Sequence, residues 1–189
     1  MPFEFRETFI PDVLLIKSRI FSDRRGSLQE VYKQSVFEKF GLPTRFGQDN
    51  LTWSTYGVLR GLHYQRQPYA QGKLISVLAG EIYDVAVDLR KGSPTYGDWV
   101  GMRLSPDESQ MLYVPEGFGH GFQVLSEEAV VMYKLTAEYA PDFEAGILWN
   151  DPRLGITWPL EEPVINEKDK HWPAFEEAEI DFVYREEGL

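Results

Sequence analysis

The chain is expected to be all-β, a double-sheet jelly roll with one or few short helices, on three observations. Short runs of alternating apolar and polar residues recur along its length. Clusters of Gly, Pro, Asp and Ser separate them at the near-regular spacing of a sandwich or barrel. Several apolar runs also carry charged groups, giving the polar interior of a sandwich closed around a ligand. At 189 residues, with no linker, repeat or low-complexity stretch, the length fits one domain spanning 1–189. Such a domain buries roughly 70% of its unfolded surface.

From about 1 to 32 the chain is strand-like, with Arg25 and Glu30 among the apolar residues. A sandwich has open edges that a partner strand can close, so this segment predicts a homodimer. One helix is expected over Ser35 to Phe40, with Ser35 as N-cap, Glu38 three residues on and Gly41 as the stop. The run Gly57-Val58-Leu59-Arg60-Gly61-Leu62-His63-Tyr64-Gln65 sets a cation and an imidazole into a β-type stretch. Burying an unpaired polar group costs about 2–7 kcal/mol, so both need a use. In a regular strand Arg60 and His63, an odd number of positions apart, face opposite sides. A bulge at Gly61 would bring them into one pocket.

In Gln71-Gly72-Lys73-Leu74-Ile75-Ser76-Val77 a lysine opens an apolar strand, either as an edge-strand gatekeeper or as a functional cation. Tyr83 to Leu89 alternates, with Tyr83, Val85, Val87 and Leu89 on one face and Asp84, Ala86 and Asp88 on the other, the pattern of a half-buried strand. Turns follow at Lys91-Gly92-Ser93-Pro94, Ser105-Pro106-Asp107 and Pro115-Glu116-Gly117. Val130-Val131-Met132-Tyr133 reads as an ordinary strand, in which a tyrosine packs well. Glu167-Lys168-Asp169-Lys170 has the look of a solvated charge run. The C-terminal tail, about 173–189, holds Glu176-Glu177-Ala178-Glu179-Ile180-Asp181 and Arg185-Glu186-Glu187, and reads as a solvated end.

A net charge of −11 disfavours nucleic-acid binding, which needs a basic footprint, but leaves room for a small anion held by a local cluster such as Arg25, Arg60, Lys73 and Lys168. The sequence has no cysteine, so thiol chemistry and thiolate metal sites are excluded. Neither a signal peptide nor an apolar run of membrane-spanning length is seen, so a soluble cytoplasmic protein without membrane contact is expected.

Gln48-Asp49-Asn50, the Gly57–Gln65 run, Gln71–Val77, Tyr113-Val114-Pro115-Glu116-Gly117-Phe118-Gly119-His120-Gly121-Phe122, Tyr133-Lys134 and Glu167-Lys168-Asp169 occur in that order. Together they resemble the dTDP-4-dehydrorhamnose 3,5-epimerase family of deoxysugar biosynthesis, from about Phe5 to Trp172. The resemblance implies the double-stranded β-helix of the cupins, whose general signature Pro115-Glu116-Gly117 with His120 also matches in its second half. It implies a cofactor-free isomerase acting on a dTDP-sugar, with no metal.

Such a reaction removes a proton beside a ketone, holds the enolate and returns a proton to the opposite face. Histidine, as a residue type with an ordinary pKa of about 6.5, suits the base, and His63 is the candidate, though an isolated strand histidine also serves as a core residue. The resemblance makes Asp169 its carboxylate partner and Tyr133 the opposite-face donor. Lys73 suits the enolate oxygen. As substrate contacts the resemblance implies Arg25, Glu30, Gln48, Asn50, Arg60, His120, Glu144 and Lys168, with Tyr139 stacked on the thymine. Arg60 can grip a diphosphate bidentately.

Ser27-Leu28 stand where family members commonly have two phenylalanines, Leu51 where histidine is frequent, and Glu138 where an aromatic often precedes Tyr139. Rival readings are a C3-only or C5-only epimerase of a related dTDP-4-ketodeoxysugar, and a non-catalytic sugar-binding cupin. A metal-dependent cupin dioxygenase would need a richer ligand set than the three histidines His63, His120 and His171.

Overall fold

A computed structural model describes residues 2–185 of the chain. In chain order these form β1 (Phe3–Glu7), β2 (Leu14–Ser18), β3 (Ile20–Asp23), β4 (Gly26–Gln29), α1 (Gln34–Lys39), β5 (Gln48–Thr55), β6 (Leu59–Gln65), β7 (Lys73–Ala79), β8 (Ile82–Asp88), β9 (Trp99–Leu104), β10 (Gln110–Val114), β11 (Phe118–Val124), β12 (Glu128–Leu135) and β13 (Glu144–Gly146). A six-stranded sheet runs β1-β2-β10-β7-β12-β5, and a five-stranded sheet runs β13-β6-β11-β8-β9. β3 and β4 form a separate hairpin. The all-β jelly-roll expectation is met. No helix of the described residues is long and apolar enough to cross a membrane.

The sheets face each other across a core that includes Ile75, Val77, Ala86, Phe118, Phe122 and Val131. Inward-facing positions alternate with outward ones along each strand, as the pleat requires. The outer face of the five-stranded sheet is covered too. Val85, Val87 and Leu89 pack under Ile147, Trp158, Phe175, Ile180 and Phe182.

Two expectations need correction here. β8 is not half-buried: Asp84 and Asp88, assigned to a solvated face, are both 0% exposed. Asp88 survives there by accepting from the Arg90 guanidinium and the Ser93 and Thr95 hydroxyls. The tail is not solvated along its length either. Its apolar residues anchor it, Arg66 pairs with Glu179, and the Gln67 amide donates to Asp181. Glu186 and Glu187 lie outside the described residues.

α1 starts earlier than its supposed cap. Lys33 occupies the N-cap without a side-chain hydrogen bond, and Ser35 falls in the first turn. The stop is as expected. Gly41 adopts φ +69°, its N–H donates to the Glu38 carbonyl, and the Leu42 N–H donates to the Phe37 carbonyl. This is a Schellman closure, which a left-handed residue permits. Phe37 and Leu42 then pack with Phe3, Ile16 and Leu74 on the outer face of the six-stranded sheet. The other half of that face, towards edge strand β5, leaves Leu51, Trp53 and Leu78 exposed.

Candidate active site

The site begins with an irregularity in β6. His120 of β11 pairs with His63, and Phe122 pairs with Arg60, so three steps on β6 match two on β11. The surplus residue lies in the Gly61–Leu62 stretch and resets the alternation, so Arg60 and His63 line one cavity. Gly61 has φ +144°, and a Cβ there would lie 2.6 Å from the Gly121 Cα. Glycine is required on both counts.

The cavity opens between the sheets. Arg60, His63, His120 and Phe122 enter from the five-stranded sheet, Lys73 and Tyr133 from the six-stranded one. A group lodged there has His63 on one side and Tyr133 on the other. Asp169, on a 3₁₀ turn spanning Asp169–His171, completes the inner wall.

His63 Nε2 donates to Asp169 Oδ1 at 2.7 Å, with Asp169 1% exposed. The carboxylate also accepts from the Gly61 N–H at 3.3 Å and the Trp172 indole at 3.2 Å. Burial pushes the Asp169 pKa up, but the His63 hydrogen bond and charge, with the Gly61 and Trp172 donors, outweigh it and hold the group below its ordinary value. An ionised Asp169 fixes the proton on Nε2 and leaves the Nδ1 lone pair as the basic site. The solvated-charge-run alternative does not apply to Asp169, although its neighbours Glu167, Lys168 and Lys170 are exposed.

Lys73 lies in an interior strand and is 7% exposed, which removes the gatekeeper alternative. Its Nζ donates to the His63 carbonyl at 3.1 Å. Burial lowers its pKa to about 8, against the opposing pull of the Asp84 and Glu144 charges. His120 donates from Nε2 to Asp84 Oδ1 at 2.9 Å. Burial holds its pKa below the ordinary histidine value despite Asp84. Arg60 donates from Nε to Ser54 at 3.1 Å and, among the described residues, joins no ion pair.

Towards solvent His63, Lys73 and Tyr133 also border a second cavity of about 150 Å³, lined further by Asn50, Gln71, Tyr139 and Glu144. The inner one measures about 120 Å³. The larger, outer one forms the mouth of the site. There the Tyr139 hydroxyl donates to Glu144, and Lys168 pairs with the same carboxylate at 2.5 Å. Gln48 is turned to the Tyr139 N–H and to Asn50.

Two residues of the expected set are elsewhere. Arg25 sits on the β3–β4 hairpin, 84% exposed at its side chain and paired with Asp23, beside a groove formed by the hairpin itself. Glu30 borders neither cavity; Gln48 and Lys168 do not line one either, but they bond the lining residues Asn50, Tyr139 and Glu144.

The sequence reading missed Asp84, Asn166, Gln65 and Trp172. For Asp84 a signal existed, a carboxylate in an apolar strand, the same anomaly that singled out Arg60. Among the described residues no three His, Asp or Glu side chains converge to hold a metal ion.

A family model described as dTDP-4-dehydrorhamnose 3,5-epimerase matches residues 7–177. The chain is 52% identical over 172 residues to the dTDP-4-dehydrorhamnose 3,5-epimerase of Pseudomonas aeruginosa, covering 90% of this chain and 94% of that protein. It is 47% identical over 181 residues to the protein of that name from Methanothermobacter thermautotrophicus, covering 94% and 97%. The crystal structure of a dTDP-6-deoxy-D-glucose-3,5-epimerase from Legionella pneumophila in complex with dTDP-4-keto-L-rhamnose superposes with a TM-score of 0.92 at 43% identity, over 97% of this chain and 99% of that one.

Proposed function

Because the chain belongs to the dTDP-4-dehydrorhamnose 3,5-epimerase family, we infer that it converts dTDP-4-dehydro-6-deoxy-D-glucose to dTDP-4-dehydro-L-rhamnose by inverting C3 and C5. The observation that carries the mechanism is the His63–Asp169 pair facing Tyr133 across a cavity that also holds Lys73. C3 and C5 both flank the C4 ketone, so either proton loss puts negative charge on the same oxygen. One fixed ammonium, Lys73, serves both steps, and a preorganised charge of this kind is usually the largest catalytic contribution. Nδ1 of His63 takes the proton, and Asp169 stabilises the imidazolium. Tyr133, supplied by the opposite sheet, returns a proton to the other face.

Arg60 and the mouth residues Asn50, Tyr139, Glu144 and Lys168 hold the nucleotide diphosphate, with His120 against the sugar. Arg25 and Glu30 reach a site only from a second copy of the chain, so the working unit is read as a homodimer.

The test is NMR of the substrate with enzyme in deuterated water. Deuterium should enter at C3 and C5 with inversion, and absence of exchange at both carbons would overturn the reading. Tyr133→Phe keeps the ring and removes the hydroxyl. It should slow inversion by about 10²–10⁴-fold, the contribution of a positioned general acid. Exchange with retained configuration should then exceed inversion. Equal losses of the two would leave Tyr133 as a packing residue.

A further inference from the structure

We propose that Gln65 is a positioning residue for the nucleotide base, pinning the segment that carries Tyr139 to the strand that carries His63. This rests on the functional reading above, in which Tyr139 stacks on that base. Gln65 ends β6, two residues after His63, and is 3% exposed. Its Nε2 donates to the Tyr69 carbonyl at 2.7 Å and the Glu138 carbonyl at 3.2 Å, and its Oε1 accepts from the Ala140 N–H at 2.7 Å. A glutamine side chain has two N–H donors. Both are spent on backbone, so Gln65 borders the mouth cavity without a donor to offer a ligand.

Residues 136–140 are irregular and lack the strand ladder that normally fixes main chain. Glutamines replace it. Gln71 Nε2 donates to the Ala137 carbonyl, and Gln48 Oε1 accepts from the Tyr139 N–H at 2.8 Å. Residues 138, 139 and 140 are thus each held through their own backbone. The ring of Tyr139 is 51% exposed, so packing does little to place it. Apart from the hydroxyl's bond to Glu144, the backbone decides where it stands, and Gln65 grips that backbone on both sides of Tyr139.

Gln65→Glu keeps the length and the acceptor for Ala140 but turns a carboxylate towards two carbonyl oxygens. Gln65→Met removes the polar atoms without adding charge, and guards against a variant that fails to fold. Calorimetric binding of dTDP would be measured for each, alone and with Tyr139→Ala, alongside steady-state kinetics. With Tyr139 intact, either change should weaken dTDP by about tenfold, the loss expected from buried hydrogen bonds left unmade, and raise KM to match, with kcat falling less than about threefold. In the Tyr139→Ala background the same change should cost less than about twofold, since the residue acts through Tyr139. Equal losses in both backgrounds, or a fall in kcat with KM unmoved, would overturn the inference. Failure of the unaltered protein to bind dTDP would instead overturn the functional reading beneath it.

Discussion

Lys73 places an ammonium in a nearly dry interior, with His63, Asp84, His120, Tyr133 and Glu144 as the titratable groups around it. Its pKa of about 8 has opposite consequences for stability and for rate. Above pH 8 the folded protein sheds this proton while the unfolded chain holds it to near 10.5, so Lys73's contribution makes stability rise with pH across that window. Activity should fall over the same range, because the enolate loses its cation. Lys73→Met should therefore abolish turnover yet raise stability at neutral pH by about 1–3 kcal/mol, as removal of a costly buried charge does. Asp84→Asn removes a charge that supports the ammonium, and should move the alkaline limb of the rate profile to lower pH. A limb that stays in place would show that Lys73 does not set it. Asp84 was readable in principle. Its two-residue alternation with Ala86 and Asp88 matched a solvated face, and nothing local revealed the sheet lying opposite. Asp169 was harder still, since only the match to a family lifted it from a run of charges.

The β6 irregularity was legible because Arg60 and His63 stand an odd number apart around a glycine, and strand geometry then forces a choice between a bulge and a split site. Gly61→Ala tests how firmly the element is set. With φ +144° and no room before Gly121, the variant should lose about 2–4 kcal/mol in urea unfolding, as an incompatible backbone and a steric clash together imply. Activity should drop with it, since any relaxation turns Arg60 or His63 out of the cavity. An unchanged urea midpoint would mean that the bulge does not depend on glycine. Other elements were less readable. The end of α1 is written in Gly41, whereas its start is set by packing of Val36 and Phe37. The C-terminal segment was misjudged because its apolar residues pack on the Val85, Val87 and Leu89 face of β8, and a pattern local to the tail cannot show a partner some ninety residues away.

At the scale of the whole molecule, one hairpin stands apart from the two packed sheets. The β3–β4 hairpin is exposed on both faces, and an isolated two-stranded hairpin is at best marginally stable in water. It displays Phe21 and Leu28 to solvent and carries Arg25 away from the cavity. Beyond it, one buried carboxylate oxygen of Glu30 has no hydrogen-bond partner among the described residues. The inner cavity meanwhile holds two cations without an ion-pair partner among the described residues, and with Lys73 assigned to the enolate, Arg60 alone of the pair is left for a diphosphate. The proposed homodimer, in which each hairpin would complete the other's site, would cover the hairpin and bring Arg25 to a cavity, and it makes a prediction that a monomer does not. Arg25→Ala and His63→Ala each inactivate their own homodimer. Mixed and allowed to exchange, they form dimers in which the subunit keeping His63 receives Arg25 from its partner. One site in such a dimer is then intact, so random pairing should restore about a quarter of wild-type activity at saturating protein. If Arg25 served the cavity of its own chain, every site would lack one residue and mixing would restore nothing.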